Sequence, residues 1–511
     1  MSEDSESLKP QSRNTSDDAA ASGDVMQTDN GSQTVASGPT NRTQLFAPVD
    51  VLPLACFRMF FGAMMLFHVG SYAYENWIEA FYILPTFHFT YPGFGWVKPW
   101  PGPGMYIHFG VMGLSAFGIM TGCLYRVSAV IFALCFTHVF LIERITFQNH
   151  YYLICLISGI MVFVPAHRMW SVDAWRRPQI RSQTAPQIWL WLLRIQLAIP
   201  YVYGAIAKLN YDWLHGMPMR IWLSQRTWIP VIGPWLKEDS AVMFFVWGGM
   251  LFDLAIVPAL LWRRTRLVAY CVAVAFHIAN SVLWNIGIFP WFMIGATLMF
   301  FPAGSFRKSL FRRGIRRSDQ PGAVEIGEPR QRLTVAVVCL YLTWQLLFPF
   351  RHFLYPGNVS WTEEAHQFSW QMMLREKTVG VRFFVHDKQS GKRGILDPKQ
   401  VLNQRQLSRM GKDPDMILDF IQFVKNHYRD YGDGELEIYV LALASLNGRK
   451  PQLLMDPTIN YAVVDRVWGT QPWIVPLHEP LRKEGWDLPV DRWEESLGTE
   501  IPNHLRSTAQ Q

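Results

Sequence analysis

The feature that most constrains this chain is a series of uncharged apolar segments, each close in length to the hydrocarbon core of a bilayer. A membrane-spanning helix needs about 20 mostly apolar residues, and in lipid such a segment satisfies its backbone polar groups only by becoming helical. Apolar windows predict about nine spans, several of them short. The predicted spans are 55–69, 105–122, 127–142, 151–165, 188–207, 241–261, 267–283, 286–301 and 333–349.

The composition agrees with this pattern. Half of the 511 residues are hydrophobic (50%) and only 17% are charged, which is typical of a polytopic α-helical membrane protein rather than of soluble domains. The formal charge of +7 is modest and implies no nucleic acid partner. All six cysteines lie in or beside apolar segments at spacings unsuited to a metal site or a redox pair, so we expect no metal and no disulfide framework.

Basic residues between the spans predict the orientation. They cluster after the fourth, sixth and eighth spans, which share one side of the membrane if nine spans alternate. The positive-inside rule assigns that side to the cytoplasm, so the N-terminus is cytoplasmic and the C-terminal part lies on the outer (periplasmic or lumenal) face. The residues are Arg168, Arg176, Arg177, Arg181, Arg263, Arg264, Arg266, Arg307, Lys308, Arg312, Arg313, Arg316, Arg317, Arg330 and Arg332.

Changes in composition divide the chain into three parts. Residues 1–47 are rich in Ser, Thr, Asp and Gly and cannot bury enough apolar surface to order, which predicts a disordered tail. Residues 48–350 contain the spans. Charge and turn residues return at 351–511, which predicts an extramembrane α+β domain.

Local patterns indicate the elements of that C-terminal domain. Asp413 can cap a helix with an apolar stripe through Ile417, Phe420 and Ile421. The best strand candidates are 379–386 and 435–444. The pair Asn447-Gly448 is a hairpin signal before a further strand at 451–455.

Lys208 is the first candidate for chemistry, because it ends the apolar run 197–207 with a single cation. An ionisable side chain at the edge of a span is costly to desolvate and commonly marks function. The alternative is that its amine snorkels to the headgroups. If instead the amine is buried, the charged form is disfavoured, and the neutral amine can accept a proton from a lipid-soluble weak acid such as a hydroquinone.

Further polar groups are predicted at a similar depth in the outer leaflet. Asn149 and His150 begin the fourth span, while His277 and Asn280 lie in the outward-running seventh. We therefore expect the amine of Lys208, both imidazoles and an amide to meet in one cavity.

Structural alternatives exist for these and neighbouring groups. A histidine such as His277 commonly forms a hydrogen bond between membrane helices, and Asn149 can cap a helix. Glu143 and Arg144, at the outer end of the third span, are expected to stabilise a loop.

Several motifs, in order along the chain, resemble the vitamin K-dependent gamma-glutamyl carboxylase family, within the wider group of HTTM-domain membrane proteins. The match runs from about Asp50 to Leu477. The motifs are QNHYYL at 148–153, WSVD at 170–173, AKLNYDW at 207–213, FHIANS at 276–281, IGIFP at 286–290, FSWQMM at 368–373, Asp456-Pro457 and WIVPL at 473–477.

The resemblance implies a membrane enzyme, a lyase with quinol epoxidase activity. It would couple the oxygenation of vitamin K hydroquinone, or a related menaquinol, to its epoxide with gamma-carboxylation of glutamate in a protein or peptide. Oxygen and carbon dioxide would be co-substrates, with no metal. By the same resemblance Lys208 is the base, Asn149 and His150 hold and polarise the vitamin, and His277 and Asn280 line its pocket.

The stretch that includes FSWQMM is associated with glutamate handling in that family, which implies substrate-binding roles for His366, Trp370 and Met372. Here the chain departs from the animal pattern, with Ala365 and His366 replacing an apolar residue and a tyrosine. A further region that takes part in propeptide binding, and the cysteines of an interdomain disulfide, are also not matched. These differences indicate a shorter, bacterial-type homologue.

Two alternative functions remain open from the sequence. The first is a quinol epoxidase or oxidoreductase without carboxylation. The second is a non-catalytic lipid- or quinone-binding membrane protein, in which Lys208 neutralises an anionic headgroup.

Overall fold

The computed structural model describes residues 44–284, 286–310, 327–429, 436–467 and 469–497. The predicted tail therefore lies outside the described residues except for 44–47, as do four of the basic residues used to predict the orientation. These four are Arg312, Arg313, Arg316 and Arg317.

Among the described residues of the first part of the chain, nine apolar helices each coincide with one predicted span. Within the described ranges, seven of them are long and apolar enough to cross a membrane, whereas α4 and α8 are shorter. Proline at the start of α8 and a 3-10 turn at Leu298–Phe300 limit its α-helical length. The helices are α1 Leu52–Tyr74, α2 Gly104–Thr121, α3 Tyr125–Ile142, α4 Asn149–Phe163, α5 Gln187–Ala207, α6 Asp239–Leu261, α7 Arg266–Trp284, α8 Phe289–Thr297 and α9 Glu328–Leu347.

Contacts between chain segments show which helix ends share a side. Strand β1 (Pro48–Asp50) precedes α1 and pairs antiparallel with β2 (Thr184–Pro186), which precedes α5. Arg307, after α8, donates to Asp50 at 2.9 Å. The starts of α1 and α5 and the end of α8 therefore lie at one face of the bundle, as nine alternating spans require.

The WSVD motif ties two short connections together at that face. Ser171 caps the helix Val172–Arg176 through the N–H of Ala174. Asp173 accepts the backbone N–H groups of Leu124 and Tyr125, each at 2.8 Å. These bonds satisfy donors at the start of α3, which has no side-chain cap of its own.

The C-terminal part contains an antiparallel sheet with strand order β4-β3-β5-β6. Helix α11 begins at Pro414, directly after the predicted cap Asp413, and its residues Ile417, Phe420 and Ile421 are buried in the core beneath the sheet. Strand β4 was not predicted, and the strand predicted at 451–455 is only two residues long. The elements are β3 Lys377–Asp387, β4 Arg393–Leu396, α10 Gln404–Met410, α11 Pro414–Arg429, β5 Leu436–Leu446 and β6 Gln452–Leu453.

Buried polar contacts join the sheet domain to the ends of α3 and α5. Arg449 forms hydrogen bonds with both carboxylate oxygens of Asp212, at 2.6 and 2.7 Å. Glu143 accepts the backbone N–H of Phe89 and the side-chain amide of Gln406, each at 3.2 Å. The predicted stabilising role of Glu143 therefore has a structural basis, because this carboxylate fixes the loop after α3 against the sheet domain.

Candidate active site

Lys208 directly follows α5 and is buried, with 7% of its surface exposed. Its Nζ donates to Oδ2 of Asp253 at 2.5 Å and to the carbonyl oxygen of Gly204 at 3.3 Å. Nζ also lies 5.4 Å from the centroid of the Trp213 ring. The amine thus points inward, which contradicts the snorkelling alternative.

Asp253, the partner of Lys208, was missed in the sequence analysis. It lies inside α6, and its side chain is 9% exposed. A signal was available, because a carboxylate within an otherwise apolar span is costly unless it is paired or functional. The buried group is therefore an ion pair and not the isolated amine that the sequence predicted.

The Lys208–Asp253 pair lies in the wall of a cavity of about 400 Å³, which we call the lysine cavity. This volume falls in the range of small-molecule sites. Most of the wall is apolar, and aromatic side chains such as Phe252 and Phe276 contribute to it. His277 and Asn280 also line it, as predicted from their positions on α7.

His277 leaves one of its ring nitrogens available in this wall. Its Nε2 forms a hydrogen bond with the hydroxyl of Tyr201 at 2.8 Å, whereas the buried Nδ1 has no hydrogen-bond partner among the described residues. A buried polar atom without a partner costs free energy. An apolar cavity with a few polar groups and one unsatisfied nitrogen fits a largely apolar ligand that carries hydroxyl or carbonyl oxygens, such as a quinol.

His150 is placed behind this cavity rather than in its wall. Its ring stacks on Phe289, with centroids 5.6 Å apart, and Phe289 in turn meets His277 edge-on at 6.0 Å. The prediction that Lys208 and both imidazoles share one cavity is therefore wrong for His150. The phenyl ring of Phe289 stands between the two histidines.

Asn149 faces a different space. Its Nδ2 donates to the carbonyl oxygen of Gln371 at 3.4 Å, and its buried Oδ1 has no hydrogen-bond partner in the part of the chain that the structure describes. Asn149 and His150 are consecutive in α4, and consecutive helical residues point about 100° apart. Neither residue is among those that line the lysine cavity, which corrects the predicted meeting of all four groups.

The second space, which we call the arginine cavity, measures about 230 Å³ and lies against the sheet domain. Asn149 and His366 line it. Burial lowers the pKa of His366 to about 4, so its ring is neutral at physiological pH. Cationic side chains in the wall outnumber acidic ones by four to two; they are Arg144, Arg375, Arg409 and Lys412 against Glu363 and Asp413.

Segment 371–373, at the end of the FSWQMM motif, forms a wall shared by both cavities. Met372 faces the lysine cavity, Gln371 faces the arginine cavity, and Met373 borders both. Phe368, Trp370 and Met373 have φ values of 62°, 55° and 54°. Left-handed backbone is unfavourable for such side chains and persists where the surrounding structure enforces it, often at functional sites.

Trp370, predicted to bind substrate, packs into the helical core instead. It is 1% exposed, and its ring lies 5.2 Å from that of Tyr152. Its indole Nε1 is buried, and no described residue forms a hydrogen bond with it. Within the residues that the structure covers, no group of three or more His, Cys, Asp or Glu side chains is arranged to hold a metal ion.

Two protein-family models match consecutive parts of the chain. Residues 46–304 match the HTTM domain, and residues 330–480 match the lumenal domain of vitamin K-dependent gamma-carboxylase. No solved structure matches the chain significantly. The two matches follow each other in the order of the helical part and the sheet domain, so the chain belongs to the vitamin K-dependent gamma-carboxylase family of HTTM-domain proteins.

Proposed function

We propose that this protein is a membrane enzyme that oxygenates a reduced quinone of the vitamin K type to its epoxide and uses that reaction to carboxylate glutamate side chains in a protein or peptide. The observation that carries the proposal is the pair of cavities with opposite chemistry on the two sides of segment 371–373. One is suited to an apolar weak acid, and the other to an anion.

The lysine cavity is the proposed quinol site. Its aromatic and aliphatic wall would bury the ring system, while His277 Nδ1 is free to form a hydrogen bond with a ring oxygen. Nζ of Lys208 lies in the same wall and is the group proposed to take up the proton of the quinol hydroxyl. His150 would act indirectly, by holding Phe289 against the cavity.

The arginine cavity is the proposed glutamate site. Its excess of cationic groups favours a carboxylate, since hydrogen bonds between ionised partners are stronger than neutral ones. The neutral ring of His366 has one N–H that can donate to the carboxylate, and Asn149 Oδ1 can accept a hydrogen bond from an N–H group of the peptide. The carboxylate would enter from the side of the sheet domain, where a peptide chain can remain in water.

The shared wall accounts for coupling between the two reactions. The γ-proton of glutamate is a very weak acid, and no side chain in the arginine cavity is basic enough to remove it. Oxygenation of the quinol supplies that base. Met373 borders both cavities, so this segment would lie between a base generated from the quinol on one side and the γ-carbon on the other.

The helices are proposed to cross a bilayer with the N-terminus in the cytoplasm and the sheet domain on the periplasmic or lumenal face. The positive-inside pattern supports this orientation, and so does the placement of Asp50 and Arg307 together at the opposite face of the bundle.

An assay that measures both products tests the function. Membranes containing the protein receive reduced vitamin K, oxygen, labelled bicarbonate and a small glutamate-containing peptide. We expect epoxide formation and label uptake that depends on the reduced vitamin. Epoxide formation without label uptake would indicate a quinol epoxidase that does not carboxylate. Binding of the quinone without either product would indicate a binding protein.

A further inference from the structure

Asp253 is an acidic side chain inside α6, the most apolar of the described candidate spans. A carboxylate in such a helix is expensive, and where it persists it commonly serves proton or ion handling. Its side chain is part of the lysine cavity wall together with Lys208, so it faces a space that a ligand can fill.

The backbone of α5 is shaped to admit this carboxylate. A Cβ atom at Gly204 would lie 2.9 Å from Oδ2 of Asp253 and 3.3 Å from the terminal methyl group of Met372. The carbonyl oxygen of Gly204 also accepts a hydrogen bond from Lys208 Nζ. Because Gly204 has no side chain, the carboxylate of Asp253 and the methyl group of Met372 can both lie close to the backbone of α5, beside the amine of Lys208.

An ammonium in an ion pair has no lone pair and cannot accept a proton. Lys208 Nζ and Asp253 Oδ2 are 2.5 Å apart, which is short enough for a proton to move between them. The other titratable side chains near Asp253 are Tyr201 on α5 and His277 on α7. Tyr201 and His277 already form a hydrogen bond with each other.

We propose that Asp253 is the final acceptor of the substrate proton and that Lys208 relays it, an inference that rests on the quinol-oxidising function proposed above. An N–H bond of the ammonium breaks, and its proton forms an O–H bond with Oδ2. The lone pair left on Nζ takes the proton of the substrate hydroxyl. The pair changes from zero net charge to +1, which balances the negative charge left on the substrate oxygen.

This relay keeps the ammonium charged before and after the step. Its positive charge therefore remains beside the new oxyanion, and the net charge of the site does not change, which matters in a region of low dielectric constant. With asparagine at 253, Lys208 has no acceptor for its own proton. It can then act only in the fraction of molecules in which the amine is already neutral.

Infrared difference spectroscopy tests the relay without turnover. The protein in nanodiscs is mixed with vitamin K hydroquinone without oxygen, and we expect the absorption of a protonated carboxyl group to appear. The band should vanish in Asp253→Asn and persist in Asp239→Asn, a matched change at the exposed start of the same helix. A band that survives Asp253→Asn, or no band in an active wild-type protein, overturns the relay.

The pH profile of epoxidation gives a second readout that a purely structural role would not change. We expect a flat wild-type rate around neutrality. Asp253→Asn should lower the epoxidation rate by at least about 100-fold, and the remaining rate should fall further as the pH is lowered. Asp253→Glu should restore the flat profile. An unchanged profile in Asp253→Asn contradicts the relay alone, whereas a wild-type protein without epoxidation contradicts the proposed function and the relay with it.

Discussion

Arg449, next to the turn after β5, binds Asp212, just beyond the end of α5, through both terminal nitrogens of its guanidinium group, at 2.6 and 2.7 Å. Asn447 donates to the same carboxylate at 2.7 Å. Asp212 follows Lys208 by only four residues, so this contact fixes the sheet domain relative to the lysine cavity. All six cysteines are free thiols, and this buried pair holds the two parts together without a disulfide.

We predict that Arg449→Gln lowers the free energy of unfolding by about 3–5 kcal/mol, because removing one partner leaves the buried carboxylate of Asp212 uncompensated. Thermal unfolding in detergent measures the change. Arg482→Gln, at an exposed position, is the control and should have little effect. An Arg449 variant as stable as the control would show that the pair does not hold the domains together.

Lys208→Ala should abolish quinol epoxidation, with a rate at least about 100-fold below that of the wild-type protein, because the proton relay is lost. Lys237→Ala, a change at an exposed lysine, should retain the wild-type rate. Epoxide formation is measured in membranes given reduced vitamin K and oxygen. An unimpaired rate in a well-folded Lys208 variant would remove this residue from the mechanism.

Gly204→Ala should slow epoxidation while the protein still folds. The added methyl group meets the carboxylate of Asp253 at 2.9 Å, and small displacements at a reacting group can cost up to about 100-fold in rate. Gly159→Ala on α4 is the matched control, since its Cβ would meet nothing within 4 Å. Equal rates in the two variants would show that the close approach at Gly204 is not needed for the reaction.

Arg375→Gln should raise the KM for the glutamate peptide by about 10- to 100-fold, the loss expected for one hydrogen bond to a charged group. Epoxidation measured without peptide should stay near the wild-type rate. Arg382→Gln serves as the control, because Arg382 is 38% exposed on β3 and pairs with Glu494. A KM that does not change would exclude Arg375 from the glutamate site.

His366 makes the stability of the protein depend on pH. Burial lowers its pKa from 6.5 to about 4, so between these values the unfolded chain binds the proton more readily than the folded one. The stability contribution of neutral His366 is complete above pH 6.5 and is lost as the pH falls toward 4, by about 3 kcal/mol. The variant His366→Gln lacks this loss.

Melting temperatures of the wild-type protein and His366→Gln, compared between pH 7 and pH 4.5, therefore check this prediction. We expect the wild-type protein to lose stability relative to the variant as the pH falls. Nearby Glu363 and Asp413 also titrate in acid, but both are present in the two proteins. Parallel curves would show that His366 is not buried in its neutral form.

The helices and most of the sheet were predictable because their signals are local. Runs of apolar residues predicted the nine apolar helices α1–α9 of the described residues. Asp413 predicted the start of α11 to within one residue. The short strand β4 lacked such a signal. Its residues Arg393 and Gly394 are both exposed, so the strand lacks the alternation of buried and exposed side chains that would have predicted it.

The site was predictable only in part, for a geometric reason. Sequence position gives the depth of a side chain in a span but not the direction in which it points. His277 and Asn280 were correctly placed in one wall with Lys208. Asn149 and His150 were predicted at the same depth, yet Asn149 lines the arginine cavity and His150 packs behind Phe289, a difference that the packing of the surrounding helices decides.

The sequence by itself determined the helical architecture, the sheet domain, the family and the candidate residues, because hydrophobic pattern and motif order are properties of the linear chain. Only the tertiary structure decided that Lys208 pairs with Asp253, that Phe289 separates His150 from His277, and that segment 371–373 divides two cavities. These relationships depend on distances between side chains that are remote in sequence. Such distances are set by how α5, α6, α8 and the sheet domain pack against one another.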